Sequence, residues 1–284
     1  MTDPDARETL AAAIEKVGTG YLVVVTGAGV SLASGIPTFR GTDPGAVWKR
    51  DVTELGTNRY FEEDPAGSWS WYTSRFDIVL DKRPNPAHLA LAAIERWQVT
   101  RGGQFLLVTQ NVDPLHERAG SERLVKVHGS SDRVRCSRHG CVYGAPRGSL
   151  PRADIDMVAF TAEPVAANVP RCPSCGSLLR QHVLWFDEFY DEHRDYQWDR
   201  VVEAARTMDL CLFVGTSFSV GVTDLFLRGG LMTGRPLLAI DPGAAASPHR
   251  SVTLFREPSE VLLPAVCQRI GAEPGETVRA DRGP

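Results

Sequence analysis

The sequence predicts an α/β chain: a doubly wound, Rossmann-like parallel sheet that carries a smaller lobe. Three observations predict it. Short continuous apolar runs recur at Tyr21–Val25, Phe105–Val108, Leu124–His128, Leu210–Val214 and Pro236–Ile240, the texture of strands covered on both faces. Helical stretches lie between several of them, at 86–97, 199–207 and 223–231, and such alternation builds a parallel sheet with helices on both sides. A glycine turn, Thr26-Gly27-Ala28-Gly29-Val30-Ser31, follows the first run directly.

The elements follow in chain order. Asp3-Pro4 suits a helix start, Leu10, Ile14 and Val17 recur at helical spacing, and Gly18 can end the helix. The last helix is expected over 259–270, with Gly271 after it. Two regions break the rhythm: 41–85, rich in Trp, Asp and Gly without a clear strand, and 132–182, with paired cysteines among Pro, Arg and Gly. The expected layout is therefore a discontinuous sheet domain of 1–40, 86–131 and 183–271. A helical insertion would span 41–85, a cysteine-rich module 132–182, and a polar, disordered tail 272–284.

Hydrophobic content of 43% and charged content of 23% over 284 residues support a sizeable core. A net charge of -4 with no strongly basic stretch argues against nucleic acid or an anionic membrane as main partner. No apolar run approaches the ~18 residues that span a bilayer, and the polar N-terminus lacks a signal-peptide core. A cytoplasmic protein is the default expectation. The sequence leaves the oligomeric state unknown, with a monomer as the default.

Four of the six cysteines pair in sequence, Cys136 with Cys141 and Cys172 with Cys175. In a reducing compartment such pairs point to metal before disulfide. Four thiolates complete a tetrahedral zinc shell, so the site is expected to be structural and the lobe zinc-binding. His139 is a rival ligand, and reactive or disulfide cysteines are the alternative. Cys211 and Cys267 lie in apolar stretches and read as core residues.

By itself the glycine turn is weak: it is either a packing turn or a place where backbone approaches a pyrophosphate at a helix N-terminus. It continues as GAGVSLASGIPTFRG over 27–41, which closely resembles the NAD-binding signature of the sirtuin family. Further motifs follow in that family's order: Thr109-Gln110-Asn111-Val112-Asp113, Val127-His128-Gly129, Leu184-Trp185-Phe186 and Val214-Gly215-Thr216-Ser217. Five ordered motifs across residues 20–220 make the resemblance specific, and it covers most of the chain.

The resemblance implies an NAD-dependent protein-lysine deacylase acting on acyl-lysine proteins or peptides. The acyl carbonyl oxygen would attack C1′ of the ribose as nicotinamide leaves, and a base-activated ribose hydroxyl would then take the acyl group. His128 is the candidate base, since imidazole titrates near neutrality and the residue follows a buried strand; the plain alternative is a strand-end histidine without a role. Asn111 and Asp113 are the other catalytic candidates and would meet ribose and the nicotinamide amide, or simply cap the helix after Pro114. Gln110, Gly27, Ala28, Gly29, Ser31, Ile36, Phe39 and Arg40 are further cofactor candidates, as are Gly215, Thr216, Ser217 and Asp241. Arg40 would pair a phosphate, and Phe39 would shield the ribose.

The chain is closest in motif to sirtuins that remove succinyl, malonyl or glutaryl groups. It shares with them Thr38, Gly56 at the pocket floor, and Tyr72 three residues before Arg75, which places both on one helix face. A hydroxyl and a guanidinium would suit a terminal carboxylate; otherwise the two are ordinary helix residues. Trp185, Phe186 and Asp187 would bind the peptide as an added strand. Departures from the family stand out: Asp187 replaces Gly in the WFGE loop, Asp241 replaces an Asn, and the Pro after GTSxxV is missing, Val220-Gly221-Val222 standing there. Asp187 could narrow the groove and select basic peptides. Rival readings are an NAD glycohydrolase or ADP-ribosyltransferase, and a catalytically silent NAD or acyl-lysine binding module.

Overall fold

The computed structural model describes residues 4–37, 52–218 and 221–273. The first part of the chain runs α1 (Pro4–Val17), β1 (Tyr21–Thr26), then short helices α2 (Val52–Leu55) and α3 (Asn58–Glu63) before α4 (Pro65–Leu80), α5 (Pro86–Thr100) and β2 (Gln104–Thr109). The middle holds α6 (Leu115–Arg118), β3 (Leu124–Lys126), β4 (Gly129–Cys136), β5 (Leu150–Pro151), α7 (Val158–Ala162) and β6 (Leu179–Val183). The last part is α8 (Trp198–Thr207), β7 (Leu210–Val214), α9 (Gly221–Thr233), β8 (Leu237–Ile240), β9 (Val252–Phe255) and α10 (Ser259–Ile270).

Six strands form one sheet in the order β3-β2-β1-β7-β8-β9, all parallel. The chain order reverses direction between β1 and β7, the switch point where open α/β sheets bind ligands beyond their carboxyl ends. Alternation along each strand fills two cores. Leu22 and Val24 of β1 join Leu107, Leu212 and the helices α1, α5 and α10 on one face. Val23 and Val25 join Leu106, Val108, Phe213 and the helices α8 and α9 on the other. Cys267 lies in the first core and Cys211 in the second, as core residues.

The helix starts are chemically explained. Asn85 caps α5, its side chain accepting from the Ala87 N–H at 2.9 Å while its own N–H donates to His88. Its amide also donates to the Val30 carbonyl at 2.8 Å, tying α5 to the glycine turn. Asp64 accepts from the Gly67 N–H at 2.8 Å at the start of α4. The N-cap expected at Asp3 lies outside the described residues.

A second, antiparallel sheet, β5-β4-β6, forms the smaller lobe. Its core is shared with the helical insertion: Phe61, Trp69, Tyr72 and Phe76 pack with Val134, Leu179, Val183, Trp185 and the cysteines. Trp69 donates its indole N–H to the Leu179 carbonyl at 2.8 Å across that joint. The two expected insertions thus bury a single apolar surface together, and the second sheet spans 129–183.

Three expectations change. The strand expected over Leu124–His128 ends at Lys126, and His128 sits in the turn between the two sheets. The segment after the glycine turn, Ala28–Ser34, is a 3₁₀ rather than an α-helix. At the start of the expected disordered tail, Ala272 is buried and its N–H donates to the Cys267 carbonyl at 2.9 Å; residues 274–284 lie outside the described residues. Among the described residues no helix is long and apolar enough to cross a membrane.

Candidate active site and metal centre

The glycine turn holds two strand ends in backbone contact. Gly27 donates to the Val214 carbonyl at 3.1 Å and Gly29 to the Gly215 carbonyl at 2.9 Å. A Cβ on Gly27 or Gly29 would lie 2.7 Å from Gly215 atoms. Gly215 has φ +59°, and a Cβ there would meet the Val30 nitrogen at 2.4 Å. Only hydrogen fits at these three positions, so glycine is what lets the backbones after β1 and β7 pack against each other at the sheet's carboxyl edge.

Next to this crossing lies a buried polar network. The Ser31 hydroxyl donates to Asp113 Oδ2 at 3.0 Å and accepts from Asn111 Nδ2 at 3.1 Å. Asn111 also donates to the Gly27 carbonyl at 3.2 Å. Asp113 also accepts from the Leu115 N–H at 3.0 Å, in the first turn of α6, as the capping alternative expected. Burial raises the Asp113 carboxyl, while its hydrogen bonds with Leu115 and Ser31 and the Lys126 charge oppose that rise. His116 reaches Thr26 Oγ1 at 3.1 Å, and its ring lies 4.7 Å from that of His88. Burial pushes both imidazoles down, His88 to about 4. Sequence reasoning assigned no role to His88 or Asn85; their signal was a capping pair, Asn85 three residues before His88.

His128 is half-buried beside Gln110. Its Nδ1 lies 2.8 Å from the Gln110 carbonyl, an acceptor only, so Nδ1 carries the proton and Nε2 keeps its lone pair. Gln110 is itself anchored to the Thr26 carbonyl through Nε2 at 3.2 Å. Burial pushes His128 down to about 4, against the Gln110 hydrogen bond. The following Gly129 has φ +81°, and a Cβ there would strike the His182 carbonyl at 2.1 Å, which explains glycine after the histidine.

Beyond β7 and β8 lies a cavity of about 390 Å³ lined by Thr216, Ser217, Phe218, Asp241 and Ala244 among others. Thr216 accepts from the Phe218 N–H at 3.3 Å, and Asp241 accepts from the Gly243 N–H at 2.9 Å. Ile36 follows the 3₁₀ segment, its N–H donating to Ser31 at 3.3 Å. Ala28 opens that segment. Thr38, Phe39, Arg40 and Val220 lie outside the described residues.

The peptide-facing candidates form a second group. Phe186 donates its N–H to the Gly56 carbonyl at 3.0 Å, and a Cβ on Gly56 would press on the Phe186 ring at 3.2 Å. Tyr72 is buried, stacked on Trp185 with ring centroids 6.4 Å apart. Arg75 turns back along α4, donating to the Trp71 carbonyl at 2.8 Å with its guanidinium 4.3 Å above the Trp71 ring. Asp187 departs from its expected role. Its carboxylate accepts from the N–H groups of Asn58 at 2.8 Å and Arg59 at 3.2 Å, capping α3. Behind the loop, Glu188 pairs with Arg135 at 2.6 Å and with Arg180, and accepts from the Trp185 N–H at 3.0 Å.

The four paired cysteines converge, with all Sγ atoms within 4.8 Å of one another. Cys136 and Cys175 are 3.5 Å apart and Cys141 and Cys172 3.7 Å apart. A tetrahedron with Zn–S near 2.3 Å has edges of about 3.8 Å, so the quartet fits zinc and His139 is outside it. The donor set is complete without a fifth ligand, which suits a structural site.

The Sir2 family model matches residues 27–222. An NAD-dependent protein deacylase of Thermus thermophilus is 39% identical over 222 residues, 78% of this chain and 79% of the relative. A second, of Pyrobaculum aerophilum, is 42% identical over 244 residues, 85% and 88% of the two chains. The mitochondrial NAD-dependent protein deacylase sirtuin-5 of Danio rerio is 35% identical over 261 residues, 89% and 84%. The crystal structure of a Sir2 homolog–NAD complex superposes with a TM-score of 0.73 at 33% identity, covering 93% of each chain. The matched span begins at Gly27 and takes in Asn111, Asp113, His128, the four converging cysteines and Gly215, and the chain belongs to the Sir2 family.

Proposed function

We propose that this chain is an NAD-dependent protein-lysine deacylase with His128 as its general base. The observation that carries the reading is the imidazole itself: Nδ1 bound to the Gln110 carbonyl, an Nε2 lone pair beside the strand ends, and a ring held neutral by burial. A base must be unprotonated at its working pH and anchored on its other nitrogen. NAD as co-substrate brings a glycosidic bond to a good leaving group, nicotinamide, and a ribose hydroxyl that can receive the acyl group.

The remaining roles follow from what each group can offer. Gly27, Gly29 and Gly215 let the turn pack tightly at the sheet's carboxyl edge, where a pyrophosphate would lie, and the cavity at Thr216, Ser217 and Asp241 suits the adenosine end. Ser31, Asn111 and Asp113 form a preorganised set of donors and acceptors for ribose hydroxyls and a carboxamide. Phe186, 57% exposed and tied to Gly56, would offer an apolar wall to an extended peptide, with Trp185 buried behind it. Cys136, Cys141, Cys172 and Cys175 would hold one zinc with no open position, supplying stability to the smaller lobe and no chemistry to the reaction.

For the acyl group, an acidic chain such as succinyl or malonyl is favoured over acetyl. Tyr72 packs against Trp185, and Arg75 lies three residues further along the same helix; Arg75 would have to leave the Trp71 carbonyl to meet a carboxylate. Kinship with a sirtuin-5 at 35% identity supports this reading. The test is an incubation with NAD and matched acetyl-lysine and succinyl-lysine peptides, with products identified by mass. Peptide deacylation with O-acyl-ADP-ribose is expected, faster for succinyl, with that preference lost in Arg75→Met. Faster turnover of the acetyl peptide would overturn the acidic-acyl reading. Free ADP-ribose with intact peptides would instead mean an NAD hydrolase, and no NAD consumption a binding module.

A further inference from the structure

The reactive nitrogen of His128 already has a partner. Tyr190 places its hydroxyl 3.2 Å from His128 Nε2. Its ring lies nearly parallel to the imidazole, with centroids 5.8 Å apart at 24°. The same ring is stacked on Trp198 at 4.3 Å and 13°. The phenol oxygen also feels the backbone N–H of Val222, in the first turn of α9. Val222 stands in the stretch where the resemblance noted above lacks its proline, and a proline could not donate. Because Nδ1 carries the proton, Nε2 can only accept, so the hydroxyl donates to it.

We propose that Tyr190 is a further positioning residue of this site: its hydroxyl occupies the His128 lone pair in the resting enzyme and yields it to the ribose hydroxyl when NAD is seated. The proposal rests on His128 being the base. Nε2 has a single lone pair, so the two hydroxyls compete for it directly. In the chemical step the ribose O–H proton passes to Nε2 and later to solvent, while Tyr190 keeps its own. The phenol is pushed up to about 12 by burial and stays protonated. A donor to Nε2 favours the neutral ring, since an imidazolium has no lone pair to accept with. Among the described residues, Tyr190 is the titratable group facing the ring. Gln110 at the end of β2, Val222 at the start of α9 and Trp198 at the start of α8 are its uncharged surroundings.

The experiment is the pH dependence of kcat/KM for the full chain and Tyr190→Phe, which keeps both ring stacks. The acidic limb of kcat/KM reports the free enzyme. Loss of one neutral hydrogen bond should move that limb up by about half to one pH unit. On the plateau, kcat/KM should rise about two- to tenfold through a lower KM for NAD with kcat held. A limb and plateau matching the parent, or a uniform loss of rate with the parent's limb, would overturn the proposal. His128→Ala separates the two ideas: retained turnover there removes the base reading and the tyrosine proposal together. A dead His128→Ala with an unshifted Tyr190→Phe removes only the tyrosine proposal.

Discussion

Replacing Glu188 by Gln should uncouple the peptide-binding loop from the smaller lobe. Glu188 is the counter-charge for two buried guanidiniums, and the side chains of Arg135 and Arg180 are each 3% exposed against 9% for Glu188. Burial alone would raise the Glu188 carboxyl, but the Arg180 and Arg135 charges outweigh it and hold it below the usual range. Arg180 also lies 3.0 Å over the Trp185 ring, and Glu188 accepts the Trp185 N–H. Removing the charge leaves two buried cations with neutral hydrogen-bond partners but no counter-charge. Breaking a buried pair in this way costs about 3–5 kcal/mol, a drop in melting midpoint on the order of 10 °C. The amide is close in volume to the carboxylate, so packing loss contributes little. Thermal unfolding measured by circular dichroism gives the stability term, and steady-state assays give the KM for acyl-peptide, which should rise more than that for NAD. A Glu188→Gln protein that melts within about 1 kcal/mol of the parent with an unchanged peptide KM would refute the reasoning. It would mean that Arg135 and Arg180 are satisfied by water and by carbonyls such as that of Val183.

Other outcomes follow from the same geometry. Burial holds His88, His128 and His182 down to about 4, whereas the unfolded chain titrates near 6.5. The unfolded state therefore binds protons first, and stability should be full above pH 6.5 and fall as pH drops toward 4, by on the order of 3 kcal/mol per histidine at the limit; denaturant titrations at pH 7 and 5 check this. Gly215→Ala should abolish NAD binding by calorimetry, because the left-handed backbone and the Val30 nitrogen 2.4 Å away both reject a Cβ. Cys172→Ser, or zinc removal by a chelator, should unfold the smaller lobe and lower the melting midpoint, since the cysteines belong to its core; an unchanged melt with no zinc by elemental analysis would sink the metal reading. Asp187→Gly should cost about 1 kcal/mol through loss of the α3 cap and raise the peptide KM with little effect on KM for NAD.

The sheet domain was legible because its determinants are local. Apolar runs such as Leu22–Val25 are unbroken since both faces are covered, and the helices between them carry their own caps and spacing. The strand β9 was missed because only Val252 and Phe255 at its ends are buried, leaving no continuous run. The second sheet was missed for a related reason: Arg135, Arg180 and Gln181 lie at buried positions and disguise the strands as loop. The glycine turn and the cysteine pairs were readable because backbone clearance and ligand spacing are properties of residue type and near neighbours, whereas the His128 titration, expected near neutrality, is pushed down to about 4 by burial in the fold. Other facts depend on contacts between residues far apart in the chain. The Asp187 carboxylate meets N–H groups more than a hundred positions away, so a charge read in sequence only as part of the peptide loop also caps a helix. Tyr190 meets His128 across 62 positions. No local rule encodes such pairings, because they arise only when the parallel sheet brings separate strand ends to one edge and the shared apolar core presses the two insertions together.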